Sequence, residues 1–175
     1  MTPDHFAILG LEPRFAIDAA DVRRRLVKAA ARRHPDRAPD PITAAAWTEE
    51  LARLQESAGA VLDDISRAEA LISLRSGPSP SDDRTLPDGF LESMLAIRME
   101  LEEAVETGDA EGRARLETWA RDEWDERRRA VGELLDGDDG HRMESLVLAR
   151  RELNRWRYAQ RMLEQLDPSR REGGA

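Results

Sequence analysis

The sequence contains no cysteine and few aromatic residues, which make up only 5% of its 175 residues. Without cysteine the chain cannot form disulfides, use a thiolate nucleophile, or bind zinc or an iron–sulfur cluster through sulfur. Its fold must therefore be held together by packing alone. The residues that are abundant instead, Ala, Leu, Glu and Arg, favour helices and predict an all-α protein.

The sequence also lacks a long apolar run. No segment approaches the roughly 20 apolar residues of a membrane-spanning helix, and the N-terminal segment MTPDHFAILGLEPRF lacks the features of a signal peptide. We therefore expect a soluble, cytoplasmic protein without a membrane partner. The net charge of −9 argues against nucleic acid as the main partner, because phosphate contacts require a basic face.

The motifs of common enzymes and metal sites are missing as well. His5, His34 and His141 are scattered, without a second ligand at metal-binding spacing. The acidic loop at 136–140 lacks the glycine and glutamate positions of a calcium-binding EF-hand. The only lysine, Lys28, does not belong to a P-loop, and no Gly-x-Ser-x-Gly motif is present. The sequence predicts a protein that is not an enzyme and holds no metal or cofactor.

One segment separates two helical regions. Residues 76–89, SGPSPSDDRTLPDG, collect Gly, Pro, Ser and Asp without apolar periodicity, which predicts a linker. The expected organisation is an N-terminal domain at 1–75, a linker at 76–89, a C-terminal three-helix domain at 90–167 and a disordered tail at 168–175.

The N-terminal region predicts a helical hairpin with short flanking helices. Gly10 is expected to end a short helix, and Asp18 to cap the next one. This second helix should end near His34, because Pro35 disfavours the α conformation in the residue before it. A third helix should follow and continue through the segment ISRAEALISL.

The C-terminal region contains three longer amphipathic stretches joined by short turns, which predicts an antiparallel three-helix bundle. In the last stretch, Arg150 and Gln160 fall among the apolar positions and are expected to cover the rim of the core.

Charge is segregated along the chain. Between residues 18 and 37, seven basic residues stand against three acidic ones, and between residues 88 and 111 eight acidic residues stand against Arg98 alone. Two surfaces of opposite sign indicate two different partners.

The first C-terminal helix carries two apolar stripes. The stripe that begins at Phe90 is expected to face the core, and a second stripe lies roughly 100° to 180° around the helix: Leu91, Leu95 and Met99. Periodicity alone leaves two interpretations open. The second stripe is either a partner-binding patch flanked by glutamates, or a surface covered by the linker or the N-terminal domain.

The segment RRHPDR also allows two interpretations. Local propensity favours a simple helix stop at Pro35, with His34 incidental. The surrounding pattern, a basic helix before the turn and an Ala- and Leu-rich helix after it, favours an exposed positive tip that docks on an acidic surface.

These residues resemble a known family. DHFAILGLEPRFAID followed by RRHPDR is similar to a J domain, in which His-Pro-Asp lies between the second and third helices. SRAEALISL and FLESMLAIRMELEE narrow the resemblance to HscB, the J-domain co-chaperones of iron–sulfur cluster assembly, from Asp4 to about Leu166.

The resemblance implies a two-part adaptor. Its J domain would stimulate ATP hydrolysis by HscA, a DnaK-type chaperone, and its C-terminal domain would deliver the scaffold protein IscU, which aids iron–sulfur cluster maturation. The ATPase residues would belong to HscA. The alternative is a J-domain adaptor that presents a different client to a general DnaK, and a rival of another class is a purely structural helical module.

The resemblance also implies the binding residues. Those expected to contact the chaperone are the tripeptide and the basic helix before it: His34, Pro35, Asp36, Arg24, Arg25, Lys28, Arg32 and Arg33. Those expected to contact the scaffold lie on the first and last helices of the C-terminal domain: Leu91, Leu95, Met99, Glu103 and Tyr158. Glu92, Ala96 and Met99 stand where better-studied members carry methionine and two further glutamates.

Overall fold

The computed structural model describes residues 3–166, so the predicted tail at 168–175 lies outside the described residues. Within this range the chain is all-helical and has no strand, which confirms the predicted fold class. None of the described helices is long and apolar enough to cross a membrane.

The helices fall into two compact units, Met1–Gly77 and Pro78–Ala175. The first unit contains α1 (His5–Leu9), α2 (Ala19–Arg32), α3 (Pro41–Leu62) and α4 (Asp64–Leu74). The second contains α5 (Phe90–Glu106), α6 (Ala110–Asp136) and α7 (Met143–Leu166).

Local side-chain chemistry sets the ends of the first helices. The Asp18 carboxylate accepts a hydrogen bond of 2.8 Å from the backbone N–H of Ala20, which confirms its predicted role as the cap of α2. Gly10 follows α1 with φ +64°, a left-handed conformation that glycine adopts without steric cost, and so ends α1 as predicted.

The expected continuation of the third helix is wrong, because α3 and α4 are separate helices. Asp63 between them has an extended backbone, with φ −79° and ψ 122°. Its carboxylate accepts a hydrogen bond of 2.8 Å from the backbone N–H of Ser66. This cap starts a new helix and lets the chain change direction, where apolar periodicity alone indicated one element.

In the first unit, α1, α2 and α4 pack against α3. Its buried apolar residues come from every helix and from the loop before α2: Phe6, Leu9, Phe15, Val22, Ala58, Val61, Ile65, Ala68, Leu71 and Ile72. These contacts hold α2 and α3 as a hairpin whose tip lies between Arg32 and Pro41.

A buried arginine fixes the corner between α3 and α4. The Arg67 guanidinium donates a hydrogen bond of 2.6 Å to the carbonyl of Val61 and forms an ion pair with Asp64. It also lies 4.6 Å from the ring centroid of Phe15. A cation with an ionic, a hydrogen-bonding and an aromatic partner is tolerated in a core that would exclude it alone.

In the second unit, the segment before α5 is fixed to α7 by hydrogen bonds. The amide of Asn154 donates to the carbonyl of Asp83 at 3.0 Å, and the Arg151 guanidinium donates to the Asp83 carboxylate at 3.1 Å. The segment therefore has partners along the last helix of the second unit.

Arg150 does not lie on the rim of the core, where the sequence placed it. It is only 1% exposed, and its Nε donates a hydrogen bond of 3.0 Å to the carbonyl of Pro78. The periodicity of α7 predicts correctly the side of the helix on which Arg150 lies. The segment that covers Arg150 is distant in sequence, so periodicity does not predict its burial.

The three helices of the second unit form the predicted bundle. One core cluster contains residues of all three helices: Leu101, Leu116, Ala120, Met162 and Leu166. Between α6 and α7, the rings of Trp124 and Trp156 meet edge to face, with centroids 5.2 Å apart.

A second buried arginine, Arg127, joins α6 to α7. It donates a hydrogen bond of 2.7 Å to Glu152 of α7 and lies 3.4 Å from Glu123 on its own helix. Burial opposes the charged form, but the hydrogen bonds to Glu152 and Glu126 outweigh it and raise the pKa of Arg127 above its ordinary value. The cation therefore keeps its charge inside the bundle.

The packing of α7 gives a stability prediction. Leu153 is fully buried, so Leu153→Ala should lower the free energy of unfolding by about 2 to 5 kcal/mol, because the removed methyl groups leave a cavity. Leu148→Ala on the same helix is the control, since Leu148 is 44% exposed. Urea unfolding followed by tryptophan fluorescence measures both, because three of the four tryptophans lie in this unit. Equal losses for the two variants would contradict the described core.

Candidate functional site

The first candidate site is the tip of the α2–α3 hairpin. The second helix ends at Arg32, close to the predicted end at His34. His34 is extended, with φ −73° and ψ 127°, as expected for a residue before proline, and residues Pro35–Arg37 form one 3₁₀ turn. The third helix then begins at Pro41, with the Asp40 carboxylate accepting from the backbone N–H of Thr43 at 2.9 Å.

His34 and Asp36 face solvent together. The backbone N–H of Asp36 donates to Nδ1 of His34 at 3.3 Å, and the Asp36 carboxylate lies 3.6 Å from the same nitrogen. Their side chains are 51% and 86% exposed. A neutral imidazole that accepts at Nδ1 carries its proton on Nε2, so the tip can offer a donor and a carboxylate to a docking protein.

The tip is braced from both helices. Arg33 forms an ion pair with Glu50 of α3, and the Arg37 guanidinium donates to the carbonyl of Ala31 in α2 at 3.3 Å. The backbone N–H of Arg37 closes the turn on the carbonyl of His34 at 2.9 Å. These contacts fix the backbone of His34 while leaving its ring exposed.

Besides Arg33, two more of the predicted chaperone-binding arginines have partners inside the first unit. Arg25 donates to the carbonyl of Gly10 at 2.6 Å and to the Asp21 carboxylate at 2.7 Å, and Arg24 donates to Asp21 at 2.9 Å. The Arg25 guanidinium holds the pKa of the Asp21 carboxyl below its ordinary value. Arg25 therefore ties α2 to the end of α1, a role that its place in a run of arginines did not reveal.

Lys28 and Arg32 differ from Arg25. Both are exposed on α2, and within residues 3–166 neither forms an ion pair. Residues four apart lie on one side of a helix, so Arg24, Lys28 and Arg32 form a row that leads toward the tip. Val27, which is not among the predicted binding residues, is 68% exposed beside this row. The apolar periodicity of α2 places Val27 outside the buried face, and this pattern could have predicted its exposure from the sequence.

The second candidate site is the outer face of α5. Leu101 in the first apolar stripe is buried, and Phe90 is half-buried, as the stripe requires. Leu91, Leu95 and Met99 in the second stripe are 55%, 60% and 61% exposed. They form a continuous row of large apolar side chains in solvent, the arrangement that marks an interaction surface.

Glutamates surround this row. Glu92, Glu100 and Glu103 are exposed on α5, and Glu102 accepts a hydrogen bond of 3.0 Å from Arg98. The face is therefore apolar along its centre and acidic at its edges.

Tyr158 lies against the first turn of α5. Its ring meets that of Phe90 edge to face, with centroids 5.3 Å apart. The predicted aromatic residue therefore contacts the residue that precedes Leu91 in the chain. Glu103 lies three turns further along α5, roughly 18 Å from Leu91 at 1.5 Å per residue. The predicted scaffold-binding residues thus form an extended surface rather than one pocket.

A groove opens beside Tyr158. It has a volume of about 300 Å³ and is lined by Tyr158 and by residues of α7 and of the segment before α5: Pro80, Arg84, Leu86, Asn154, Arg157 and Arg161. No sequence pattern indicates this groove, because Arg84 and Arg161 are far apart in the chain and both line it only through the packing of that segment.

Within residues 3–166, no three His, Asp or Glu side chains are grouped closely enough to hold a metal ion. His5 hydrogen-bonds the Ser57 hydroxyl at 3.1 Å, and His34 belongs to the tip. The arrangement of both candidate sites suits protein contacts.

The different environments of the basic residues on α2 give a prediction. Arg25→Ala should lower the melting temperature by a few degrees, because it removes hydrogen bonds that join α1 and α2. Lys28→Ala removes a charge of the same helix that has no ion pair in the described structure, and should leave the melting temperature unchanged within error. Calorimetry of both variants checks this, and equal destabilisation would contradict the distinction.

Comparison with known proteins identifies the fold. No model of a known protein family matches the sequence. The crystal structure of the human co-chaperone protein HscB has a TM-score of 0.81 at 19% identity, covering 99% of this chain and 84% of that one. The chaperone HscB from Vibrio cholerae has a TM-score of 0.79 at 16% identity, covering 96% of this chain and 98% of that one. The resemblance predicted from the sequence is confirmed in the structure, and the chain is similar in fold to HscB over nearly its whole length.

Proposed function

We propose that this protein is a non-enzymatic co-chaperone of iron–sulfur cluster assembly. It stimulates ATP hydrolysis by HscA, a DnaK-type chaperone, and delivers the scaffold protein IscU to it. The observation that carries the proposal is the exposed His34-Pro35-Asp36 tip, at the end of a basic helix, in a chain whose fold is similar to two HscB structures.

The tip acts on the chaperone without supplying catalytic groups. His34 and Asp36 are exposed and their backbone is braced, so they enter the interface with little loss of conformational freedom. Lys28 and Arg32 on the helix before the tip raise the association rate with an acidic surface and fix its orientation. The ATP and the residues that hydrolyse it belong to the chaperone.

The face of α5 holds the scaffold protein. Leu91 and Leu95 are large and exposed, and their burial against a partner supplies the apolar contribution to binding. The glutamates at the edges favour a partner whose surface is basic. Tyr158 adds an aromatic contact where α7 meets the first turn of α5.

One chain that carries both surfaces raises the concentration of client near the chaperone. This is the advantage of an adaptor over separate binding partners. A J-domain adaptor that presents a different client to a general DnaK is a second candidate, favoured by Glu92, Ala96 and Met99 at positions where the resemblance leads us to expect methionine and glutamates.

The function of the tip can be tested with His34→Gln. This variant should abolish the stimulation of HscA ATP turnover, because the imidazole is lost from the docking surface while the exposed position tolerates glutamine. Steady-state ATP turnover with and without the protein measures the effect. His141→Gln is a matched control, since His141 is also exposed but lies in the loop between α6 and α7.

Full stimulation by the His34→Gln protein would show that the tripeptide is only a helix stop. Loss of stimulation by both histidine variants would place the effect outside the tip. Circular dichroism of each variant confirms that the helices are retained.

The function of α5 can be tested with Leu91→Ala and Leu95→Ala together. The double variant should bind IscU roughly tenfold more weakly or worse, because buried apolar anchors commonly contribute about 1 to 2 kcal/mol each. Isothermal titration of the full-length chain measures this. Leu148→Ala is the control, since Leu148 is an exposed leucine of α7 outside the proposed surface.

Unchanged affinity in the double variant would move the scaffold site away from this face. Stimulation of HscA without any binding of IscU by the unmodified protein would favour the second candidate, an adaptor for another client.

A further inference from the structure

The groove beside Tyr158 is basic, in contrast to the protein as a whole. Arg84, Arg157 and Arg161 line it, whereas the chain carries a net charge of −9. Three guanidinium groups at one small concavity are a local concentration of positive charge that general solubility does not require.

The side chains that line the groove carry N–H donors that can bind a planar anion. The Arg161 guanidinium lies 5.6 Å from the ring centroid of Tyr158, which holds it beside the wall of the groove. The Nε of Arg84 donates to the carbonyl of Pro80 at 3.4 Å, which orients the other donors of its guanidinium away from that contact. Arginine presents several N–H donors in a planar fork that matches a carboxylate.

The groove lies close to the first turn of α5. Tyr158 lines the groove and also contacts Phe90, which immediately precedes Leu91. A protein that covers Leu91 and Leu95 and also extends around the first turn of α5 would meet Tyr158 and the groove. The surface would then be acidic along α5 and basic at its α7 end.

We propose that the groove of Arg84, Arg157, Tyr158 and Arg161 receives a carboxylate side chain of the protein that docks on α5. This rests on the proposed function of α5 and adds to it the chemistry of the partner. The partner presents a mainly basic surface toward the glutamates of α5, and at least one Asp or Glu beyond it that enters the groove. Two opposite charge patterns fix the orientation of the docked protein, which an apolar stripe alone does not.

The groove itself can be tested without any scaffold protein. Tyr158 is the only tyrosine, so labelling tyrosine rings with ¹³C gives an NMR signal that reports on this groove alone. Hexaglutamate should shift this signal with saturation, and hexaglutamine at the same concentrations should not. The shift should disappear in the Arg84→Gln, Arg161→Gln double variant. No shift with hexaglutamate, or an equal shift with hexaglutamine, would overturn the proposal.

The contribution to docking is measured by titrating IscU into the full-length chain. The Arg84→Gln, Arg161→Gln variant should bind roughly three- to tenfold more weakly, with less dependence on salt, because partly exposed ion pairs contribute modestly. Arg129→Gln is the matched control, an exposed arginine on α6. Equal affinity of the double variant and the control would overturn the proposal.

The two proposals fail in different ways. If Leu91→Ala with Leu95→Ala weakens IscU binding but the arginine variant does not, the α5 face stands and the groove has no role in docking. If the unmodified chain does not bind IscU, the proposed function is wrong, and the response of Tyr158 to hexaglutamate alone decides whether the groove takes carboxylates.

Discussion

Aspartate side chains start five of the seven α-helices in the described part of the chain. Asp4, Asp18, Asp40, Asp63 and Asp109 each accept a hydrogen bond from the first turn of the helix that follows. A helix start has backbone N–H groups without an internal partner and a positive dipole end, and a carboxylate satisfies both. In a chain without cysteine, these caps help to determine where α1, α2, α3, α4 and α6 begin.

Both candidate surfaces follow from helix ends. Pro35 ends α2 and Asp40 starts α3. The residues between them therefore lie outside both helices and form the tip of the hairpin. At the other surface, Gly89 precedes α5 in a left-handed conformation, with φ +74°, and the helix that follows turns the Leu91 row outward. A few specific residues, Pro35, Asp40 and Gly89, thus set the helix ends beside the proposed binding residues.

Features with a local cause could be predicted from the sequence, and features with a distant cause could not. The end of α1 at Gly10, the cap at Asp18 and the outward row at Leu91 each depend on residues within one or two helical turns. The burial of Arg150 and the groove at Tyr158 depend on a segment about 70 residues earlier in the chain, whose hydrogen bonds to α7 leave no periodic pattern. Arg25 illustrates the same limit, because its partner Gly10 lies in a different element.

The basic residues of α2 differ in their contacts, and this difference affects which of them can be substituted during evolution. Arg25 donates hydrogen bonds to Gly10 and Asp21 of the first unit, whereas Lys28 and Arg32 have no ion pair within the described residues. Substitutions at the second pair leave folding intact while altering the charge presented beside the tip. Under the proposed function, the preference for one chaperone over another would therefore change by single mutations that leave the protein stable.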